Sequence, residues 1–197
     1  QGLWMTAAGP FSPFGPQADP SVKPWPYDVE EARRKLSQAG WKPDASGILE
    51  RGGKPFRFAI LIPSQNSVYE QIASYIKEQF RKVGIDASIN PLEFSVMVTR
   101  LDERNFDAAM LGWGGGNPED DPRQIWHSKS VENRGSNFIS YSNPEVDKLI
   151  DDARREPDRD KRLDMWHRIY RIIADEQPYT LLNIRYSLLF AAKRIEN

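Results

Sequence analysis

Apolar residues recur along this chain in two rhythms, and the alternation between them predicts its elements. Ala32, Leu36 and Ala39 follow at helical spacing behind Asp28, an N-cap whose capping box is completed by Glu31, and Gly40 stops the run with Trp41 packing back on it. Residues 42–54 are polar and contain glycine, and are expected as a loop. From residue 56 to 62 the rhythm shortens to two, with Phe56, Phe58, Ile60 and Ile62 alternating as a strand. Ile72, Ile76, Phe80 and Val83 restore a helical stripe, opened by a capping box of Ser67 and Glu70 and ended by Gly84. Ile85, Ala87 and Ile89 read as the next strand, closed by Pro91, and residues 94–103 as a helix with Met97 and Leu101 inward. Residues 106–112 then form a strand with no polar residue after Asp107, the signature of a strand buried on both faces in the middle of a covered sheet. Strand, helix, strand, helix, strand predicts an α/β fold with right-handed crossovers.

Both flanks of that pattern read differently. Residues 1–26 are rich in glycine and proline and fit neither helix nor central strand. They are expected as an extended crossover held down by Trp4, Phe11, Phe14 and Trp25, leaving residues 27–197 as the α/β body. On the other side, residues 127–141 read as irregular. Asn143 caps a helix that begins at Pro144 and turns Val146, Leu149, Ile150 and Ala153 inward. Asp158 caps a longer helix carrying Leu163, Trp166, Ile169, Tyr170 and Ile173, which Pro178 ends, and residues 179–184 and 186–192 read as two strand-like runs.

Open α/β sheets bind ligands just beyond the carboxyl ends of their strands. Gly112, Trp113, Gly114, Gly115, Gly116 and Asn117 occupy that place behind the apolar strand. Glycines let a ligand reach the main chain, and an indole offers a flat wall with one donor. The same residues also suit a plain strand-ending turn, or a cradle of N–H groups for an anion, although no lysine follows at P-loop spacing. Gln65 and Asn66 sit at the corresponding end of the strand from Phe56, as a ligand contact or as an ordinary capping turn.

Composition narrows the chemistry. The chain has 197 residues, a net charge of −1 and no cysteine. The charge balance argues against nucleic acid as a partner, and the missing thiols exclude cysteine catalysis, disulfides and thiolate metal sites. No stretch is apolar enough to span a membrane. No basic leader precedes the first residues, and the start at Gln1 reads as a cut edge. Glu119, Asp120 and Asp121 form an acidic turn that suits a cation, a ligand amine or simple solvation. His127 and His167 are the only histidines and lack metal-binding spacing, so no metal or cofactor is expected. A hydrolase built from His127, Ser128 and Asp121 is conceivable, but no nucleophile elbow is present and no catalysis is expected. Mixed charge runs at residues 151–156 and 159–162 read as solvated helix faces or as a docking face.

Several of these segments together resemble the carboxy-terminal lobe of the family 5 extracellular solute-binding proteins, the dipeptide and oligopeptide receptors of ABC importers. The resemblance rests on Tyr27-Asp28 with Ala39-Gly40-Trp41, Val83-Gly84-Ile85, Phe106-Asp107 with Gly112-Trp113, and Gly135-Ser136-Asn137. It continues through Tyr141-Ser142-Asn143-Pro144-Glu145-Val146-Asp147 and Asp175-Glu176-Gln177-Pro178-Tyr179, in the family's order over nearly the whole chain. It implies one lobe of a bilobed, periplasmic-binding-protein-like (type II) fold, whose partner lobe lies in sequence absent here. It also implies an exported receptor, periplasmic or extracellular and in many members lipid-anchored, that hands a peptide-like solute to permease subunits in the membrane.

The same resemblance makes Trp113 and the following glycines a ligand wall, and Asn137 either a ligand contact or a residue that pins the backbone. Two departures change the expected cargo. Peptide receptors of this type place an Asp three residues after the Trp, where this chain has Gly116; Asn117 beside it carries no charge. Dipeptide-type members place an Arg in the loop after the first strand, and residues 63–67 hold no basic group. The expected ligand is therefore read by main chain, amides and aromatic surface: a longer or blocked peptide, or an oligosaccharide.

Overall fold

The computed structural model describes residues 4–114 and 119–185. In chain order its elements are β1 (Trp4–Thr6), α1 (Val29–Gln38), β2 (Lys42–Pro43), β3 (Leu49–Arg51), β4 (Lys54–Pro55), β5 (Arg57–Pro63) and α2 (Ser67–Lys82). There follow β6 (Asp86–Leu92), α3 (Phe94–Asp102), β7 (Ala108–Ala109), α4 (Arg123–Trp126), α5 (Pro144–Ala153), α6 (Arg159–Glu176) and β8 (Asn183–Arg185). They divide into two compact units. A sheet unit comprises Pro26–Gly114 and Glu132–Phe138, and a helical unit the described parts of Gln1–Trp25, Gly115–Val131 and Ile139–Asn197.

The sheet unit is built on three parallel strands in the order β6-β5-β7. Alternation along β5 sends Ile60 and Ile62 to one face, where they meet Ala73, Ala87 and Met110 with Ile72, Ile76 and Phe80 of α2 packed on top. Leu61 points the other way, onto Met97 and Leu101 of α3. The central strand is therefore β5, and the segment expected in the middle of the sheet lies at an edge among the described residues. It pairs with β5 only through Ile60↔Ala108 and Leu61↔Ala109, extended by Met110 N–H to Leu61 O at 2.9 Å. Its unbroken apolarity has another cause: Met110 and Ala108 face the α2 side while Phe106, Ala109 and Leu111 face the α3 side. A run covered on both faces reads the same at an edge as in the centre. The opposite edge explains why β6 continues through Pro91, expected to end it: among the described residues Pro91 lies opposite Ile62 on an edge strand, where a missing N–H is tolerated.

Two further differences are local. Residues 42–54, expected as loop, contain the antiparallel meander β2-β3-β4. Its strands are two or three residues long, too short to display alternation. Packing holds it instead: Trp41 stacks on Phe56 at 4.2 Å, the Arg51 guanidinium lies 4.8 Å from the indole centre, and Leu49 N–H donates to Gly84 O at 2.7 Å. The cap of α2 is Asn66, one residue before the expected Ser67, its side chain accepting from Tyr69 N–H at 3.4 Å. Asp28 caps α1 as expected, accepting from Glu31 N–H at 2.9 Å.

In the helical unit, Val146, Ile150 and Ala153 of α5 pack against Trp166, Ile169, Tyr170 and Ile173 of α6, joined by Trp126 and by Phe11 from the extended arm. Burying one such Ile contributes roughly 1.5–3 kcal/mol. Asn143 caps α5, Asp158 caps α6, and Gln177 ends α6 in the left-handed region at φ 47 before Pro178. Of the four aromatics expected to hold the arm, Phe11 is buried and Trp25 Nε1 donates to Ala174 O at 3.0 Å, while Trp4, Phe14 and Trp25 keep 44%, 67% and 57% of their surface exposed.

Polar anchors do much of that work. Gln17 is 3% exposed; its Nε2 donates to Asp120 O at 2.8 Å and its Oε1 accepts from Asp120 N–H at 2.5 Å. Asp19 pairs with Arg171, and Pro16 O lies 2.8 Å from His167 Nε2. The expected strand at residues 179–184 appears only as β8, which pairs antiparallel with β1; the run 186–192 lies outside the described residues. In the segment expected to be irregular, 3-10 turns span Ser128–Arg134, broken at Glu132 and Asn133.

Candidate functional site

All three strands of the parallel sheet point their carboxyl ends the same way, so the chain leaves β5, β6 and β7 along one rim. Leaving β5, the chain turns through Gln65 at φ 59, a left-handed conformation unfavourable for a residue with a Cβ. The turn delivers Asn66 to its cap on α2 and leaves the Gln65 side chain exposed. Asn66 Oδ1 is thus engaged with the backbone, as the capping alternative required. Leaving β6, Glu93 caps α3: its carboxylate accepts from Ser95 N–H at 2.8 Å and from the Ser95 hydroxyl. The hydroxyl bond holds Glu93 below the usual carboxylate range.

Leaving β7, Gly112 passes so close to α2 that a Cβ built on it would lie 3.3 Å from Tyr69 Oη. This is a close approach that only glycine makes without displacing the phenol. Trp113 follows. Its ring lies parallel to Phe138 within 13°, with centroids 5.8 Å apart, so one face of the indole is backed by a phenyl ring. The residue nevertheless remains 43% exposed. Gly114 faces open space: a Cβ added there would meet nothing within 4 Å. Gly115, Gly116 and Asn117 lie outside the described residues. Val68, Phe94 and Val96, in the first turns of α2 and α3, add exposed apolar surface at 45%, 57% and 47%. A rim of this kind, with an indole, short main-chain cover and no cationic side chain in residues 63–67, suits a ligand held by stacking and backbone hydrogen bonds.

Phe138, like Val68, Phe94 and Val96, is a member of this group that sequence reasoning did not select. It follows Asn137, which is fully buried, and half-buries itself against Met97 and Leu101. Burial of Asn137 supports its backbone-pinning alternative.

The acidic turn is answered from within the helical unit. Glu119 pairs with Arg162 at 3.0 Å and Arg159 at 3.8 Å, and Asp121 with Arg154 at 3.0 Å. Together with Asp120, Arg154 and Trp166 these acids line an open cleft of about 270 Å³. His127 is 2% exposed, its Nδ1 accepting from Lys129 N–H at 3.1 Å, and the Ser128 hydroxyl donates to Asp147 at 2.5 Å. His127 also lies 3.6 Å from Asp147 and 3.5 Å from Asp151, so its acidic neighbours are those two rather than Asp121, which pairs with Arg154. Among the described residues no group of three or more His, Asp or Glu is placed to hold a metal, and no helix is long and apolar enough to cross a membrane.

Residues 1–135 match the family described as bacterial extracellular solute-binding proteins, family 5 Middle. Oligopeptide-binding protein AppA of Bacillus subtilis is 36% identical over 167 residues, covering 83% of this chain and 30% of that protein. The structure of AppA in complex with a nonapeptide superposes with a TM-score of 0.84 at 33% identity, over 92% of this chain and 36% of that one. The oligopeptide-binding protein of Thermus thermophilus, complexed with a pentapeptide, gives the same TM-score of 0.84 at 26% identity, over 93% of this chain and 34% of that one. The chain thus spans about a third of the length of the curated relatives it matches. By its matched residues and its fold, it belongs to the family 5 bacterial extracellular solute-binding proteins.

Proposed function

We propose that this chain supplies one wall of a solute receptor of an ABC importer, which captures a peptide-like solute between two lobes and delivers it to permease subunits in the membrane. Residues 27–197 form the carboxy-terminal lobe and residues 1–26 the crossover into it. The protein acts outside the cytoplasmic membrane and performs no chemistry on its cargo. The observation that carries this reading is Trp113: a large indole, backed by Phe138 and flanked by Gly112, stands exposed where an α/β sheet binds ligands. Capture then follows the clamp mechanism of two-lobed binding proteins, in which closure buries the solute between walls that bind weakly when apart.

The wall also indicates cargo. Trp113, Gly112, Gly114, Gln65 and Asn66 offer main chain, amides and an aromatic face; Gly115, Gly116 and Asn117 follow in sequence and lie outside the described residues. No positive charge in residues 63–67 awaits a free carboxylate near the first strand. The solute is accordingly a peptide longer than two or three residues, or one with blocked ends, and the nonapeptide bound by AppA supports that length. Mass spectrometry of solute co-purifying with the full-length protein tests the reading. Peptides of five or more residues are expected; a free dipeptide bound tightly, with longer peptides ignored, contradicts it. The isolated chain should fold yet bind the same peptide far more weakly than the full-length protein.

A further inference from the structure

The wall has a support that lies outside its own strands. Arg104 follows α3 in the left-handed region, at φ 55. Its guanidinium donates from Nη1 to Asp102 O at 2.5 Å, and from Nη2 to Gly135 O at 2.9 Å and Asn137 O at 3.3 Å. The planar fork of an arginine thus ties the end of α3 to alternate carbonyls of a segment distant in sequence, a task a single ammonium group cannot share out in the same geometry. The next residue after that segment is Phe138, and Phe138 lies against Trp113 at 13° and 5.8 Å. Asn137, within the same segment, is fully buried. Hydrogen bonds to a charged donor are stronger than neutral ones, so the three carbonyl contacts are a stiff tether.

We propose that Arg104 is a positioning residue for the ligand wall: by gathering the carbonyls of Asp102, Gly135 and Asn137 it fixes where Phe138 stands, and through Phe138 the face that Trp113 turns to the solute. The inference rests on the reading of Trp113 as a ligand wall. It concerns orientation: the coupling runs from Arg104 through the carbonyls of Gly135 and Asn137 to Phe138, and from Phe138 to Trp113. An indole without its backing ring samples more rotamers, and a ligand must then order it on binding, which weakens affinity without removing a contact.

The test uses the full-length protein and the nonapeptide it retains most tightly from an equimolar nonapeptide pool. Affinity is measured calorimetrically for wild type, Arg104→Met, Trp113→Ala and the double variant. Trp113 emission in the ligand-free protein is isolated by subtracting a Trp113→Phe spectrum. Arg104→Met is expected to weaken binding about threefold to tenfold, the scale of one aromatic pair, and to shift the Trp113 emission. In the Trp113→Ala background the same substitution should cost nothing further, because the orientation it controls is gone. Arg104→Lys should not restore affinity. Should Arg104→Met prove too unstable, Phe138→Leu, which keeps the apolar filling, is expected to show the same dependence on Trp113.

If Trp113→Ala weakens binding while Arg104→Met and Phe138→Leu leave it unchanged, the positioning role is wrong and the wall stands. An equal loss from Arg104→Met with or without Trp113 also overturns the role, since it would mark a general structural effect. If Trp113→Ala itself leaves affinity intact, the wall reading falls first and the role falls with it.

Discussion

Two neighbouring stretches of this chain, the aromatic corner at Trp113 and the acidic turn at residues 119–121, treat their conspicuous side chains in opposite ways. In the acidic turn the charges are met inside the helical unit: Glu119 by Arg162 and Arg159, Asp121 by Arg154, and the Asp120 main chain by the Gln17 amide. At the corner, Phe138 covers one face of the indole and a 43% exposure remains. Charge draws the eye in a sequence, yet here it is used to tie an arm and a turn to α5 and α6. The surface left exposed at the corner is apolar and aromatic, and on the proposed clamp reading its burial is what closure would gain.

The comparison separates residues that carry stability from residues proposed to face the solute, and it can be broken from either side. The largest stability effect is expected at the α5–α6 contact. Ile169→Ala, at a fully buried position, should lower unfolding free energy by about 2–5 kcal/mol in urea titrations. Next comes Gly9→Ala. Its Cβ would stand 2.3 Å from the Tyr170 ring, and such overpacking costs roughly 1–3 kcal/mol unless the ring moves. Neither change should alter the peptide affinity of the folded protein, and a selective loss of affinity from either would blur the division.

Acid offers a graded version of the same test on the arm. The Ser21 hydroxyl, opposed by burial and assisted by Ser21 N–H and Arg171, lowers the Asp19 carboxyl from 3.8 to about 2. A carboxyl depressed in the folded state contributes stability above its unfolded value, and that contribution is lost as pH falls through the folded one. Wild type should therefore exceed Asp19→Asn in stability at neutral pH, with the gap closing between pH 3.8 and about 2 in acid titrations followed by circular dichroism. A gap that persists below that window would mean the carboxylate is not its source.

Smaller still is Glu119→Gln, which removes a partly exposed ion pair and should cost about 1 kcal/mol or less. If it weakened peptide binding strongly while sparing stability, the acidic turn would belong to the solute site after all. Trp113→Ala should leave the melting curve nearly unmoved, because the side chain is half in solvent, and should cut affinity instead.

The sequence foretold the helices well because each carries its own stop and start. Asp28, Asn143 and Asp158 all cap where they were expected, and Met97, Leu101, Val146 and Ile150 all face inward. Strand order was not legible, since the run through Ala108 and Ala109 is apolar on both faces whether it lies at an edge or between neighbours. The meander at residues 42–55 escaped because its strands are shorter than one period of alternation can reveal.

At the corner, the position of Trp113 and Gly112 just beyond an apolar strand was readable from the sequence. The places of Phe138 and Arg104 were not: they are set by contacts between segments about 25 to 33 residues apart, which no local rhythm records. The four aromatics of the arm serve it unequally: Phe11 enters the core, whereas Trp25 is tied to α6 through its indole N–H and stays largely exposed, a distinction that sequence does not record.

Trp4, Trp25 and Trp113 are exposed to similar degrees, at 44%, 57% and 43%, and this makes them internal controls for one another. Hydroxyl-radical footprinting of the full-length protein, with and without its tightest-bound nonapeptide, reads all three in one experiment. Solute should protect Trp113 from oxidation while leaving the modification rates of Trp4 and Trp25 unchanged. Equal oxidation of Trp113 in the empty and loaded protein would contradict the claim that its indole faces the cargo.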